Sequence, residues 1–295
     1  MLLTKTDQFQ RSRLSLRWPD LTLIAGALLM LVPPMIEVAK NNWSTEQGGH
    51  GPIVLATGIW LLVREYKQAD GLQRRGNVLL GTLALAILLP AFVLLGITGV
   101  LELQVAVMYA ALVAGAYLLV GGRMLRAIWF PIFYLAFALP PPDTVVATLT
   151  NPVKIAISQV AVSLLHFLGY PVGSSGVVIQ IAQYELLVAA ACSGLNSLIT
   201  LSAIGLFYVY LRHRSNHRAL LLMSLLVVPV AILANFVRVI ILILLTYHVS
   251  EAAAQGFLHD FAGIATFAAA LATMMAIEAV YSRVADRKAQ EAGRG

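Results

Sequence analysis

Read for hydrophobicity alone, the 295-residue chain alternates long apolar runs with short polar breaks. Crossing the hydrocarbon layer of a membrane takes roughly 20 apolar residues, with a range of about 17–25. Eight runs predict membrane-crossing helices: Leu21 to Ile36, Gly48 to Val63, Val78 to Gly99, Leu103 to Val120, Ala127 to Leu139, Leu186 to Leu211, Ala219 to Tyr247 and Phe261 to Tyr281. The second and fifth are short, and the fifth ends at Pro140, Pro141 and Pro142, which no helix interior absorbs. Between the fifth and sixth runs the pattern changes. TNPVKIAISQVAVSLLHFLGY has apolar residues at helical spacing with Lys154, Ser158 and Gln159 toward one face, which predicts a helix in the outer interface. VGSSGVVIQIAQYELLV is rich in Val and Ile around an Ala-Gln turn and predicts a hairpin of two short strands. The expected fold is an all-α polytopic membrane protein with about eight spans, an outer interfacial helix, and a small β-hairpin before the helix that carries the lone cysteine. No internal repeat stands out, which argues against an inverted-repeat transporter.

Composition agrees with the pattern. Apolar residues make up 59% of the chain and charged residues 12%, with a mean hydropathy of +0.83. A soluble domain averages about 45–50% and about 25%. The lipid bilayer is therefore the chain's solvent.

The net charge of +6 does not mark a nucleic-acid binder, because the cations sit in short clusters between apolar runs and form no stripe. With the N-terminus inside, the cytoplasmic segments hold Lys5, Arg11, Arg13 and Arg17, then Arg64, Lys67, Arg74 and Arg75, then Arg123 and Arg126. They also hold Arg212, Arg214 and Arg218, then Arg283, Arg287, Lys288 and Arg294. In all, 17 of the 20 Lys and Arg residues fall inside, leaving Lys40, Lys154 and Arg238. That asymmetry is the positive-inside signature. It predicts both termini in the cytoplasm, with residues 1–20 and 282–295 as tails around one membrane domain, 21–281. The first apolar run follows three arginines without a small-residue cleavage site, so it reads as an uncleaved anchor.

Orientation converts sequence position into depth. Span six enters from outside near Leu186, so Cys192 lies roughly 9 Å below its start at ~1.5 Å per residue. Span seven begins inside near Ala219, which puts Arg238 about 28 Å up the helix, near the outer surface. His259 stands two residues before span eight, on the same side. A thiol near a guanidinium or imidazole is shifted toward the attacking thiolate. Histidine relays a proton to a leaving amine, and arginine holds an oxyanion. Structural readings compete with each role. The only cysteine of the chain suits a small hydrophobe, His259 an interfacial histidine, and Arg238 a cation snorkelling to the interface. A cation inside a span nonetheless tends to mark a functional site. On spacing alone the catalytic and structural readings stand level.

The residues carry a resemblance that favours the first. ACSGLNSL is similar to the Cys-Ser-Gly signature of the exosortase/archaeosortase family of multispan cysteine transpeptidases, NFVRV to its arginine motif and HDFAG to its histidine motif. GGHGPIVLATGIWLL resembles the family's segment around the second span, and FPIFYLAFALPPP through GYPV to YELLV its approach to the cysteine. The likeness runs from about Trp43 to beyond His259. It implies Cys192 as nucleophile, Arg238 as transition-state stabiliser and His259 as acid and base, with no cofactor. It implies an enzyme of the inner membrane whose site faces outward. The implied partners are exported proteins ending in a short motif such as Pro-Glu-Pro, a transmembrane helix and a basic tail. Ala190 and Asn196 depart from the family pattern, where an acidic residue and an arginine are frequent.

Further residues have weaker claims. Trp43 and His50 share the first outer loop and could line the substrate's path, although an interfacial Trp is ordinarily an anchor. Asn235 lies three residues before Arg238 on the same face and could orient it or simply bond a neighbouring helix. Asp260 could pair with His259 or Arg238, or be an exposed loop acid. Ser193 points about 100° from Cys192 on a helix and so cannot share its target. His213 and His217 have ligand-like spacing but sit in a basic loop, and His248 with His259, Glu251 and Asp260 forms only a loose acidic group, so no metal site is expected. The rival functions are a thiol endopeptidase using water as acceptor and a non-enzymatic transporter or polysaccharide-assembly component.

Overall fold

The computed structural model describes residues 18–45, 48–69, 71–175, 178–181, 184–187, 196–214, 216–249 and 257–292. The chain is mostly helical: α1 (Trp18–Asn41), α2 (Gly51–Gln68), α3 (Val78–Thr98), α4 (Leu101–Ala127), α5 (Trp129–Leu135) with a 3-10 turn (Ala136–Ala138), and α6 (Asp143–Phe167). Three strands follow, β1 (Val172–Ser175), β2 (Val178–Ile181) and β3 (Tyr184–Leu187), then α7 (Asn196–His213), α8 (His217–His248) and α9 (Phe257–Ala292).

Five described helices are long and apolar enough to cross a membrane: α3, α4, α6, and most of α8 and α9. Four of the eight expected spans, α3, α4, α8 and α9, are among these five; α1, α2, α5 and α7 are not, and the fifth is α6, which the sequence placed in the outer interface. Arg64, Glu65 and Lys67 end the apolar stretch of α2, and the three prolines stop the α5 segment at Ala138. Leu186 and Leu187, the first residues of the sixth run, belong to β3, and its described helix is Asn196–His213. Large apolar side chains stand open on the outside of the bundle, among them Ile97, Ile87 and Leu119. A soluble protein rarely tolerates so much exposed apolar surface, whereas lipid covers it without penalty.

α3 and α4 form an antiparallel hairpin. Asn77 caps α3 by accepting from the Leu80 N–H at 3.3 Å, and Gly99, with φ +73°, ends it. α4 breaks at Gly121, whose φ of +78° brings the Arg74 carbonyl to where a Cβ would stand. Only glycine fits that kink, which turns the chain from α4 toward α5. α5 in turn packs antiparallel on α2 and α7 through Leu61, Phe130, Tyr134 and Tyr210, with the Phe130 and Tyr210 rings stacked at 3.7 Å.

The second half is a three-helix core. α7 and α8 are joined by a turn at Arg214, closed by the Asn216 N–H donating to the His213 carbonyl at 2.9 Å, and Leu201, Val209, Met223, Val227, Ala270 and Met274 fill the space between α7, α8 and α9. Contacts gather Arg212 and Arg214 of that turn with Glu65 of α2 and Glu278 of α9. This is the basic end of the bundle.

α6 and the sheet pack against the half of α8 remote from that end. β1, β2 and β3 form an antiparallel meander, with Val172 opposite Ile181 and Val178 opposite Leu187. The expected hairpin is thus real but has a third strand in front of it. Ile179 and Ile181 are buried and Gln180 exposed, the alternation of a half-covered strand. The two isoleucines meet Ile157, Ala161 and Leu165 of α6 and Val239 and Ile243 of α8.

α6 does not run through the bundle. Its start shares a cavity with His50 and with Ile199 near the start of α7, and Tyr170, just past its end, reaches His248 at 3.3 Å. Both places lie away from the α7–α8 turn. The face expected to be polar is corrected: Ser158 is fully buried beside Ile157 and Lys154 half-buried, while Gln159 and Val160 point out. The apolar stripe through Ile157, Ala161 and Leu165 sets the buried side, and Ser158 falls on it.

Candidate active site

α8 carries NFVRV beyond its midpoint, and the helical period puts Asn235, Arg238 and Leu242 on one face. That face meets α9. Leu242 packs on Ala262, and the guanidinium of Arg238 lies on Gly263. A Cβ at 263 would stand 3.3 Å from Cζ and Nη2 and 3.5 Å from Nη1, so the flat of the guanidinium is turned to the glycine. Small residues let helices approach closely in a membrane, and here they admit a planar cation between two helices.

His259 lies in the first turn of α9, four residues before Gly263, or about 6 Å along the axis. Positions four apart share a helix face. The structure therefore brings the arginine motif within a helical turn of the histidine motif, although they are separated in sequence by the α8–α9 connection. The side chains of His259 and Asp260 lie outside the described residues, as do Cys192 and Ser193. The depth reckoning for Cys192 is corrected in one respect. It counted from a helix start at Leu186, and Tyr184–Leu187 is a strand.

Arg238 is 6% exposed and Asn235 4%. Neither Nδ2 nor Oδ1 of Asn235 has a hydrogen-bond partner among the described residues. An unpaired polar group buried in such a place costs about 1–3 kcal/mol. Asn235 stands one turn from the cation.

A second group of predicted residues sits where α2, α5, α6 and α7 meet. Trp43 donates its indole N–H to the Ala138 carbonyl at 3.0 Å and lies directly on Gly51, where any Cβ would collide with the ring. His50 borders a cavity of about 50 Å³ with Asn42, Asp143, Pro141 and Ile199. Trp43 is thus a strut between α2 and the end of α5, and His50 faces a small polar hollow.

Two carboxylates escaped notice in the sequence. Glu278 is 3% exposed and accepts from Tyr208 Oη (2.9 Å), Arg212 Nε (3.2 Å) and Ser282 Oγ (2.7 Å), with His213 Nε2 at 3.1 Å. Glu65, also buried, pairs with Arg214 at 2.5 Å. Acids inside otherwise apolar helices were the available signal, masked by the basic clusters around them. His213 is turned to Glu278, and no group of three metal-ligating side chains occurs among the described residues.

No curated protein and no solved structure matches the chain. Residues 43–276 match a family model described as a transmembrane exosortase, a stretch that contains Trp43, His50, Asn235, Arg238 and the segments holding Cys192 and His259.

Proposed function

The chain belongs to the transmembrane exosortase family, and from that premise we propose that it cleaves the C-terminal sorting signal of exported proteins at the outer face of the membrane. The substrate is a protein ending in a short Pro-Glu-Pro-like motif, a transmembrane helix and a basic tail. The Cys192 thiolate attacks the scissile carbonyl and forms a tetrahedral oxyanion beside Arg238. The C–N bond breaks as His259 gives its proton to the leaving amine, which leaves a thioacyl enzyme. An acceptor nucleophile then loses its proton to His259, attacks the thioester and releases the thiolate.

The observation that supports this reading most is the seat of Arg238: a buried cation, flat on Gly263, one turn from His259. A charge in that position is fixed before substrate arrives, as an oxyanion site requires. Asn235 supplies hydrogen bonds beside it for the substrate backbone or the guanidinium. His50 borders the substrate's path and Trp43 frames it, while Asp260 orients His259. The protein works in the inner membrane with this site outward.

Mass spectrometry of a cognate substrate's new C-terminus tests the reading. Wild type is expected to yield the truncated protein joined to an acceptor, and Cys192→Ala at equal protein level to yield none. Processing by Cys192→Ala would refute the thioacyl mechanism. A free carboxyl terminus in place of an adduct would assign water as the acceptor.

A further inference from the structure

At the basic end a cavity of about 720 Å³ lies between α5, α7 and α9's neighbour α8. Its walls are apolar and largely aromatic: Trp129, Phe130, Phe133, Leu206, Tyr210 and Leu221. Two arginines, Arg126 and Arg214, also line it. Trp129 and Leu221 stand open on the outside of the bundle, so the wall is continuous with the surface that lipid covers. Arg214 is held in place by Glu65 and Gln68. Arg126 bonds through Nε to the Gly122 carbonyl at 3.3 Å, and no acidic partner is found for it among the described residues.

Size, polarity and charge narrow the occupant. A transmembrane helix is a cylinder of about 10–12 Å diameter and ~30 Å length, roughly 2,400–3,400 Å³, several times too large. The basic tail of a sorting signal would be repelled by the two arginines. A free phosphate would leave the aromatic wall unused. The volume falls in the range of about 300–1,000 Å³ typical of small-molecule sites, and basic pockets between membrane helices on the cytoplasmic side suit anionic headgroups.

We propose that this cavity is a binding site for an anionic phospholipid, with its phosphate at Arg126 and Arg214 and an acyl chain against the aromatic wall. The site joins α5, which the prolines keep short, to the α7–α8 hairpin that carries the Arg238 helix. It is remote from Arg238 and does not depend on the processing reaction.

Native mass spectrometry of the full-length protein, given equal phosphatidylglycerol and phosphatidylcholine of identical chains, tests the proposal. Wild type is expected to retain phosphatidylglycerol at least about five-fold over phosphatidylcholine, in line with the attraction of one basic residue near a membrane surface. Arg126→Glu is expected to abolish that preference. Ser224→Trp, which fills the cavity and keeps both arginines, is expected to lower retention of both lipids. Arg123→Glu, an exposed neighbour outside the cavity, is expected to leave the preference intact. Equal retention of the two lipids by wild type would overturn the site, without recourse to any variant. So would an unchanged preference in Arg126→Glu, an equal loss in Arg123→Glu, or displacement of the lipid by glycerol phosphate at equal concentration.

Discussion

The two ends of the helix bundle bury polar groups in opposite ways. At the basic end, Glu278 is surrounded by Tyr208, Arg212, His213 and Ser282, and Glu65 by Arg214. At the other end, Asn235 is equally buried with neither amide atom bonded among the described residues, and Arg238 is laid on a glycine. The first arrangement ties α2, α7 and α9 together through ion pairs. In the second, the Asn235 amide stands beside a buried cation with no partner among the described residues. Ion pairs between helices belong to architecture, and an amide held beside Arg238 belongs to chemistry. If that distinction is right, substitutions at the two ends should separate stability from processing.

The largest expected effect is at the basic end. Arg214→Ala leaves Glu65 charged, buried and unpaired, and removing one partner of a buried pair costs about 3–5 kcal/mol. Glu65→Ala leaves Arg214, whose side chain is 41% exposed, free to reach water, so it should cost less. The double variant should therefore be more stable than Arg214→Ala alone in chemical or thermal unfolding. Equal destabilisation by both single variants would mean that the pair is not the asymmetric lock its burial implies.

Next in size is Arg238→Ala, which removes the proposed oxyanion partner. Loss of such a contact lowers rates by about 10²–10³, or roughly 3–4 kcal/mol. Processing should fall by that factor while the melting temperature changes less than in Arg214→Ala. The reverse ranking would make Arg238 a structural cation. Arg238→Lys should recover little, because an ammonium cannot present a flat face to Gly263.

Gly263→Ala tests the same contact from the other helix. A methyl 3.3 Å from the guanidinium forces it to move by a few tenths of an ångström. A shift of 1 Å in a catalytic group can cost about 10²-fold, so roughly a ten-fold loss of processing is expected with the fold intact. Unaltered processing would show that the position of Arg238 is not critical.

The far end was the more legible of the two in the sequence, for a physical reason. Arg238 inside an apolar run is a local anomaly, and helical rise alone carries it to the end opposite the basic clusters. Its contact with Gly263 was latent in HDFAG but needed the crossing of α8 and α9 to appear. α3, Val78–Thr98, follows its apolar run almost to the residue, and the proline triplet ends the α5 segment where expected. The sixth run misled because a continuous apolar stretch does not reveal whether it is strand or helix, and Tyr184–Leu187 pairs with β2. Ser158 misled because its neighbours, not its own polarity, set the buried side of α6. At the basic end, Glu65 and Glu278 looked like ordinary members of charged clusters. Only tertiary contact shows that they are buried and which arginine holds each.

The smallest expected shift is also the sharpest separation. Asn235→Leu keeps the branched heavy-atom skeleton of the side chain and removes an amide that has no partner among the described residues. If the amide were structural, the replacement would destabilise the protein. If it is held for the substrate or for Arg238 during the reaction, the variant should be more stable by about 1 kcal/mol, the low end of the penalty for an unpaired buried group. Processing should fall at the same time, because the hydrogen bonds are missing only when they are needed. A gain in melting temperature together with a loss of rate is the signature of stability given up for function, and no purely structural role for Asn235 produces both. A stability loss comparable to that of Arg214→Ala would instead move Asn235 into the same class as Glu65 and Glu278.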